Sequence, residues 1–154
     1  MENINNKLVI RELEETHLGK DFLDTLSNLG DVRKLKNDQK HILKIFKNIK
    51  EKSSSRIFVA LIDNKIVGAI TTIIEYKFIH NGGKVCHIED VVTRKGYEKL
   101  GIGSSLIRKA IDLSTKEDCY KVVLNCSHKN ILFYEKNGFH KHEIEMRFDI
   151  NKKG

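Results

Sequence analysis

Apolar residues recur along this chain with two periods, and each change of period marks an element boundary. Leu8 to Leu13 (L-V-I-R-E-L) is short and β-branched and predicts an opening strand. From Asp21 to Gly30 the stripe Phe22, Leu23, Leu26 and Leu29 predicts a helix, with Gly30 as its stop. A second helix is predicted from about Asp38, where Ile42, Ile45, Phe46 and Ile49 follow the helical spacing. Glu51 to Ser55 reads as a polar loop. Ile57–Ile62 and Ile66–Tyr76 then read as strands, joined through Asp63-Asn64-Lys65 as a tight hairpin.

Lys77 to Gly83 (K-F-I-H-N-G-G) reads as a loop, and Val85–Val92 as a third, mostly buried strand of the same group. A helix follows from Ser104 to about Ser114, with Leu106, Ile107, Ala110 and Ile111 inward. Lys121–Cys126 predicts a short strand, Asn130–Asn137 a short helix closed by Gly138, and the weak alternation of Glu143–Ile150 a last strand. The order β-α-α-β-β-β-α-β-α-β predicts a mixed α/β (α+β type) fold on a largely antiparallel sheet, one domain over 1–154. The step from Val85–Val92 through a helix to Lys121–Cys126 is a βαβ crossover. A sheet edge or splay at such a crossover is where ligands sit.

Composition narrows the class. With 154 residues, 40% hydrophobic and 32% charged, the chain can bury a core without staples. No apolar run reaches a membrane span, and the polar stretch Met1–Lys7 does not read as a signal peptide. Cys86, Cys119 and Cys126 are three cysteines with no C-x-x-C pair, which points to free thiols and a reducing, cytoplasmic setting. The net charge of +7 favours anionic partners. The lysines are scattered among acids with no aromatic-interleaved basic run, so a nucleic-acid groove is not indicated. Small phosphorylated ligands fit the charge, and so does a solvated lysine-rich surface.

The most informative stretch is Ile88 to Lys109: a strand ending in Glu89-Asp90, a basic loop with Gly96, Gly101 and Gly103, then a helix. Small residues feeding a helix N-terminus leave backbone N–H groups free for phosphate. A lone G-x-G is weak; its context and the neighbouring Arg94, Lys95 and Lys99 strengthen it. Glu98 to Gly103 resembles the acetyl-CoA loop of the GNAT acetyltransferase superfamily, whose pattern is Arg/Gln-x-x-Gly-x-Gly/Ala. Glu98 departs from it, standing where a cation or amide is usual, and Lys99 stands where relatives often have glycine.

Further motifs narrow the resemblance. H-I-E-D-V-V (His87–Val92), C-Y-K-V-V-L-N-C (Cys119–Cys126), K-N-I-L-F-Y-E-K-N-G-F (Lys129–Phe139) and K-F-I-H (Lys77–His80) are similar to the glucosamine-6-phosphate N-acetyltransferase family within that superfamily. The resemblance implies the GNAT fold: a twisted sheet with helices on both faces and a splayed strand pair at the coenzyme. It implies acetyl-CoA as cosubstrate, no metal, and a homodimer. It implies transfer of acetyl to the 2-amino group of D-glucosamine 6-phosphate, a step in UDP-N-acetylglucosamine biosynthesis.

It also carries roles onto positions. Val91, Val92 and Thr93 would pair with the pantetheine arm, and Lys99, Leu100, Gly101, Ile102, Gly103 and Ser104 would hold the pyrophosphate. Asn125, Cys126, Ser127, Asn130 and Tyr134 would meet the thioester end or the arm. Lys77, Phe78, Ile79, His80, Glu89, Asp90 and Val91 would line the sugar site, with Ser27, Tyr120, Lys121 and Arg147 toward the sugar and its phosphate. At the position where relatives carry a basic residue, this chain has Asp149, and Arg147 lies on the same strand face.

Chemistry orders those roles. A primary amine attacks a thioester only when unprotonated, and the leaving thiolate needs a proton or hydrogen bond. Tyr134 is the candidate donor. Asn125 replaces an acid of relatives and cannot take a proton, so the base role passes to Glu89, Asp90 or a bound water. Cys126 would be the nucleophile of a covalent route, and direct attack is the expectation. His80, His87, His128, His140, His142 and Cys86 match no metal-ligand spacing. Tyr134 beside Phe133 and Phe139 also suits plain packing. The competing functions are a GNAT enzyme for another small amine, such as a polyamine or antibiotic, and a catalytically weak acyl-CoA-binding protein.

Overall fold

A computed structural model describes residues 7–150. Apart from Lys7, the polar stretch Met1–Lys7 lies outside the described residues. The chain divides into two units, 1–124 and 125–154.

The first unit is built on a five-stranded sheet in the order β1-β2-β3-β4-β5. Its strands are β1 (Leu8–Glu12), β2 (Ser55–Ile62), β3 (Lys65–Tyr76), β4 (Lys84–Thr93) and β5 (Cys119–Leu124). All neighbours are antiparallel except β4 and β5, which run parallel as the crossover requires. The hairpin turns on Asp63 and Asn64, whose φ of 50° and 64° match the paired left-handed residues of a tight two-residue turn.

Helices cover both faces. On one, α1 (Lys20–Leu26) and α2 (Gln39–Lys50) bring Phe22, Leu23 and Ile42 onto Val59, Leu61, Ala69 and Val92. Asp38 caps α2 by accepting the His41 N–H at 3.0 Å. Thr25, fully buried, is satisfied twice: its hydroxyl donates to the carbonyls of Asp21 (2.8 Å) and Ile66 (2.9 Å). On the other face lies α4 (Ile102–Lys116), with Ile102, Leu106, Ile107 and Ala110 buried. Each large side chain there is worth roughly 1.5–3 kcal/mol. Gly68 permits this approach, because a Cβ on it would stand 2.7 Å from Ile102 Cγ2 and 3.0 Å from Leu106 Cδ1.

Several predicted boundaries move. α1 ends at Leu26, not Gly30, and Leu29 is 50% exposed. The polar pair after it competes with the helix: Ser27 Oγ donates to the Asp24 carbonyl, and Asn28 reaches across to Thr93. α4 starts at Ile102, two residues before the predicted Ser104, because Gly101 at φ 79° already serves as its cap. β5 lies two residues earlier than predicted, since Asp118 (φ 58°) turns the chain into it and its ladder stops at Leu124.

The second unit holds a 3-10 turn (His128–Asn130) and α5 (Ile131–Lys136), closed by Gly138 at φ 89° as predicted. The predicted strand over Glu143–Ile150 is not formed. A strand exists by pairing its backbone, and among the described residues nothing pairs this segment. Its alternation is nonetheless real: Ile144, Met146, Phe148 and Ile150 are 83–90% exposed, separated by charged residues.

Candidate active site

Within the first unit the candidate residues form two groups along β4. The upper group begins at a bulge. Thr71 pairs with Glu89, but Ala69 pairs with Val92, so β4 carries one residue more than β3 over this interval. Asp90 absorbs the excess at φ 50°. The ladder with β5 ends at the pair Ile88–Leu124. Beyond it, among the described residues of this unit, no strand lies along the β5 side of Glu89–Thr93. An extended chain of amides, such as pantetheine, is the kind of ligand that continues such a ladder.

The loop after β4 is set by three left-handed residues: Gly96 (φ 89°), Lys99 (φ 63°) and Gly101 (φ 79°). A Cβ on Gly101 would meet nothing within 4 Å, so its glycine serves the backbone angle and not the space. The amides of Ile102, Gly103 and Ser104 open a helix of 15 residues and have no partner inside it. With open space above Gly101, this end fits a pyrophosphate.

Glu98 does not face that end. Its carboxylate turns back and accepts the Gly96 N–H at 2.7 Å. Arg94 is likewise not a loop cation. Its guanidinium donates to Asp21 Oδ1 at 2.8 Å and lies 3.5 Å from Asp24, fastening α1 to the end of β4. Asp24 is held below the usual carboxylate range, first by its hydrogen bond from Lys36 and then by the charges of Lys36, Lys20 and Arg94. The exposed loop cations are therefore Lys95 and Lys99. Asn28 Nδ2 donates to the Thr93 carbonyl at 2.8 Å, beside Ser27. The sequence offered no signal for Asn28 beyond its place next to a candidate.

The lower group gathers at the start of β4 and β5. Lys77 to Gly83 is not an open loop: Ile79–Gly82 makes a four-residue helical turn (α3), with His80 and Asn81 at φ 53° and 56°. The turn carries the His80 ring to 4.4 Å from the Tyr120 ring, while Lys121 Nζ lies 5.7 Å from the same ring. Phe78 is fully exposed and Ile79 is 62% exposed. The Lys77 ammonium donates to Glu75 Oε1 at 2.8 Å, and Glu75 Oε2 lies 2.7 Å from His87 Nε2. Glu75 is held below its ordinary value by the hydrogen bond from Lys77 and then that of His87; Lys77 is raised by Glu75. Sequence reasoning missed Glu75, whose only signal is its spacing from Lys77 and the cross-strand pair Ile73–His87.

The groups are not contiguous. Val85 pairs with Lys121, and Glu89 stands four residues further, about 13 Å at the usual strand rise.

In the second unit, Tyr134 meets Phe133 (5.0 Å) and Phe139 (6.0 Å) edge to face. Burial raises its phenol above the ordinary tyrosine value, and the Cys126 thiol adds to this. Asn125, Cys126, Ser127 and Asn130 are exposed. Arg147 and Asp149 are paired, Arg147 Nε donating to Asp149 Oδ1 at 2.7 Å. Cys86, Cys119 and Cys126 are all free thiols. No His, Cys, Asp or Glu group suited to a metal occurs among the described residues, and none of their helices is long and apolar enough to cross a membrane.

Residues 21–139 match the acetyltransferase (GNAT) family. The glucosamine 6-phosphate N-acetyltransferase of Trypanosoma brucei brucei is 41% identical over 96 residues, 62% of this chain and 65% of that relative, just under two thirds of its length. The enzyme of that name from Arabidopsis thaliana is 32% identical over 143 residues, 89% of this chain and 93% of that one. A crystal structure of glucosamine-6-phosphate N-acetyltransferase from Arabidopsis thaliana superposes with a TM-score of 0.87 at 30% identity, covering 94% of this chain and 99% of that one. A Trypanosoma brucei acetyltransferase structure gives 0.85 at 34% identity, covering 93% and 99%. The chain belongs to the acetyltransferase (GNAT) family.

Proposed function

We propose that the protein transfers the acetyl group of acetyl-CoA to the 2-amino group of D-glucosamine 6-phosphate, as a single acetyltransferase domain over 1–154. The observation that carries this reading is the lower group on β4 and β5. Lys77, His80, Tyr120 and Lys121 make a basic, aromatic surface that suits a phosphorylated sugar, whereas a polyamine or aminoglycoside would want acids. The names of the relatives above support the same substrate.

The residues take the following parts. The amides from Leu100 to Ser104 receive the pyrophosphate, with Lys99 adding charge. Val91, Val92 and Thr93 offer backbone to the pantetheine arm, and Cys126, Ser127 and Asn130 border it. Glu89 and Asp90, held at the bulge, address the sugar with Ser27, Phe78 and Ile79. Asn125 orients the amine through its carbonyl oxygen. Tyr134, kept protonated by burial, donates to the departing thiolate.

The protein works as a homodimer on this reading. The alternation of Ile144, Met146, Phe148 and Ile150 with charged residues supports it, since these four exposed apolar side chains are a surface that another copy can cover. Arg147 then serves the sugar phosphate. Free thiols support a cytoplasmic setting, and the product suits UDP-N-acetylglucosamine biosynthesis.

A thiol-release assay with acetyl-CoA tests the substrate. Turnover on glucosamine 6-phosphate well above that on glucosamine is expected; equal rates would remove the phosphate from the reading. Sedimentation of Phe148→Asp tests the assembly, with a dimeric parent and a monomeric variant expected.

A further inference from the structure

Acetyl transfer to an amine needs a proton acceptor, and Asn125 cannot be one. Glu89 and Asp90 are carboxylates, which are weak acceptors for the proton of an ammonium. Imidazole is the side chain that titrates near neutrality, and β4 carries one between the two groups of the site.

His87 projects from the same face of β4 as Glu89, two residues on. It pairs with Val123, one step before the ladder with β5 ends at Ile88–Leu124. Its side chain is 37% exposed, open to a soluble amine. Its tautomer follows from Glu75. An ionised carboxylate only accepts, so the 2.7 Å contact requires the proton on His87 Nε2. Lys77, on the other carboxylate oxygen at 2.8 Å, keeps Glu75 ionised. The neutral ring then carries its lone pair on Nδ1. The charged groups sharing this face are Glu75 on β3, Lys77 after it, Glu89 on β4 and Lys121 on β5.

We propose that His87 takes the proton from the acceptor ammonium through Nδ1, and that Glu75 is its positioning residue. This rests on the acetyltransferase reading above. His87 Nδ1 removes one proton from the ammonium, and the freed lone pair forms the C–N bond to the thioester carbonyl carbon. As the C–S bond breaks, its electron pair leaves on sulfur. The thiolate takes up a proton, and the nitrogen of the new amide sheds one. The imidazolium returns its proton to water, so one proton is released per turnover.

The test is the pH dependence of kcat for the full-length parent, His87→Ala and Glu75→Gln on glucosamine 6-phosphate. His87→Ala should lose about 10²-fold in kcat with little change in KM for acetyl-CoA, lose the parent's acidic limb, and regain rate with added imidazole. Glu75→Gln keeps the shape but not the charge. It should lose about tenfold, since the amide no longer fixes the tautomer, and shift that limb. A His87→Ala enzyme as fast as the parent, with the same pH profile, overturns this proposal alone. A parent idle on this sugar overturns both readings.

Discussion

Glu98 accepts the N–H of Gly96 at 2.7 Å, so the acid in the middle of the proposed coenzyme loop is turned onto its own backbone. The residue braces the loop while leaving a negative charge near the end proposed for the pyrophosphate. Glu98→Gln removes the charge and keeps a carbonyl oxygen for the same bond. The KM for acetyl-CoA should fall by about twofold to fivefold, matching roughly 1 kcal/mol for an exposed charge pair, and the gain should shrink in high salt. Initial rates at two ionic strengths measure it. A rise in KM would mean that the brace matters more than the charge.

Arg94 gives the opposite lesson. It reads as a loop cation but is spent on Asp21 and Asp24. Arg94→Ala should lower stability by about 1 kcal/mol, a figure reduced because Asp21 is half exposed. The KM for acetyl-CoA should change by less than about twofold, since the proposed phosphate contacts lie elsewhere. Denaturant unfolding and steady-state kinetics separate the two. Lost coenzyme affinity at full stability would return Arg94 to the phosphate.

How far the fold could be read follows from such pairs. The hairpin at Asp63-Asn64, the helix start near Asp38 and the Gly138 stop were legible, because each rests on residues a few places apart. Arg94's hydrogen-bond partner Asp21 lies 73 residues upstream, where no local pattern reaches. The last strand was legible as an alternation but not as a strand, since pairing depends on what is beside it. For the site, the positions came from a resemblance. The left-handed turn at His80-Asn81, the Glu75 bridge and the Asn28 contact are made by folding itself.

Gly83 is a probe of the lower group. Its own φ of −64° suits any residue, but an added Cβ would stand 2.7 Å from Tyr120 Cδ1 and 3.2 Å from His80 Cβ. Gly83→Ala should push the Tyr120 ring off His80. The KM for glucosamine 6-phosphate should then rise about threefold to tenfold with that for acetyl-CoA unchanged, a displaced positioning group being the cause. Parallel titrations of the two substrates show which moves. An equal rise in both would place Tyr120 outside the sugar site.

Tyr134→Phe keeps the contacts with Phe133 and Phe139 and removes the donor. A loss of about 10²-fold in kcat is expected, with both KM values near the parent's. The phenol is raised in the folded protein, so its contribution to stability is complete below the ordinary tyrosine value of about 10 and is lost as pH rises through the raised one. Alkaline melting curves should therefore fall more steeply for the parent than for Tyr134→Phe. Parallel curves would count against the burial.

The bulge at Asp90 makes the site a matter of counting. One surplus residue lets Glu89 and Val92, three apart, lie on the same side of the sheet. Deleting it would leave them two apart, still on one side by simple alternation, whereas flattening the bulge with the residue kept would set the two segments of β4 against each other. In that flattened strand, with Val92 in its place in the core, Glu89, His87 and Val85 would all turn toward α4, and Cys86 and Ile88 would turn out. The surplus residue must therefore stay outside the alternation, and the left-handed φ of Asp90 is what holds it there.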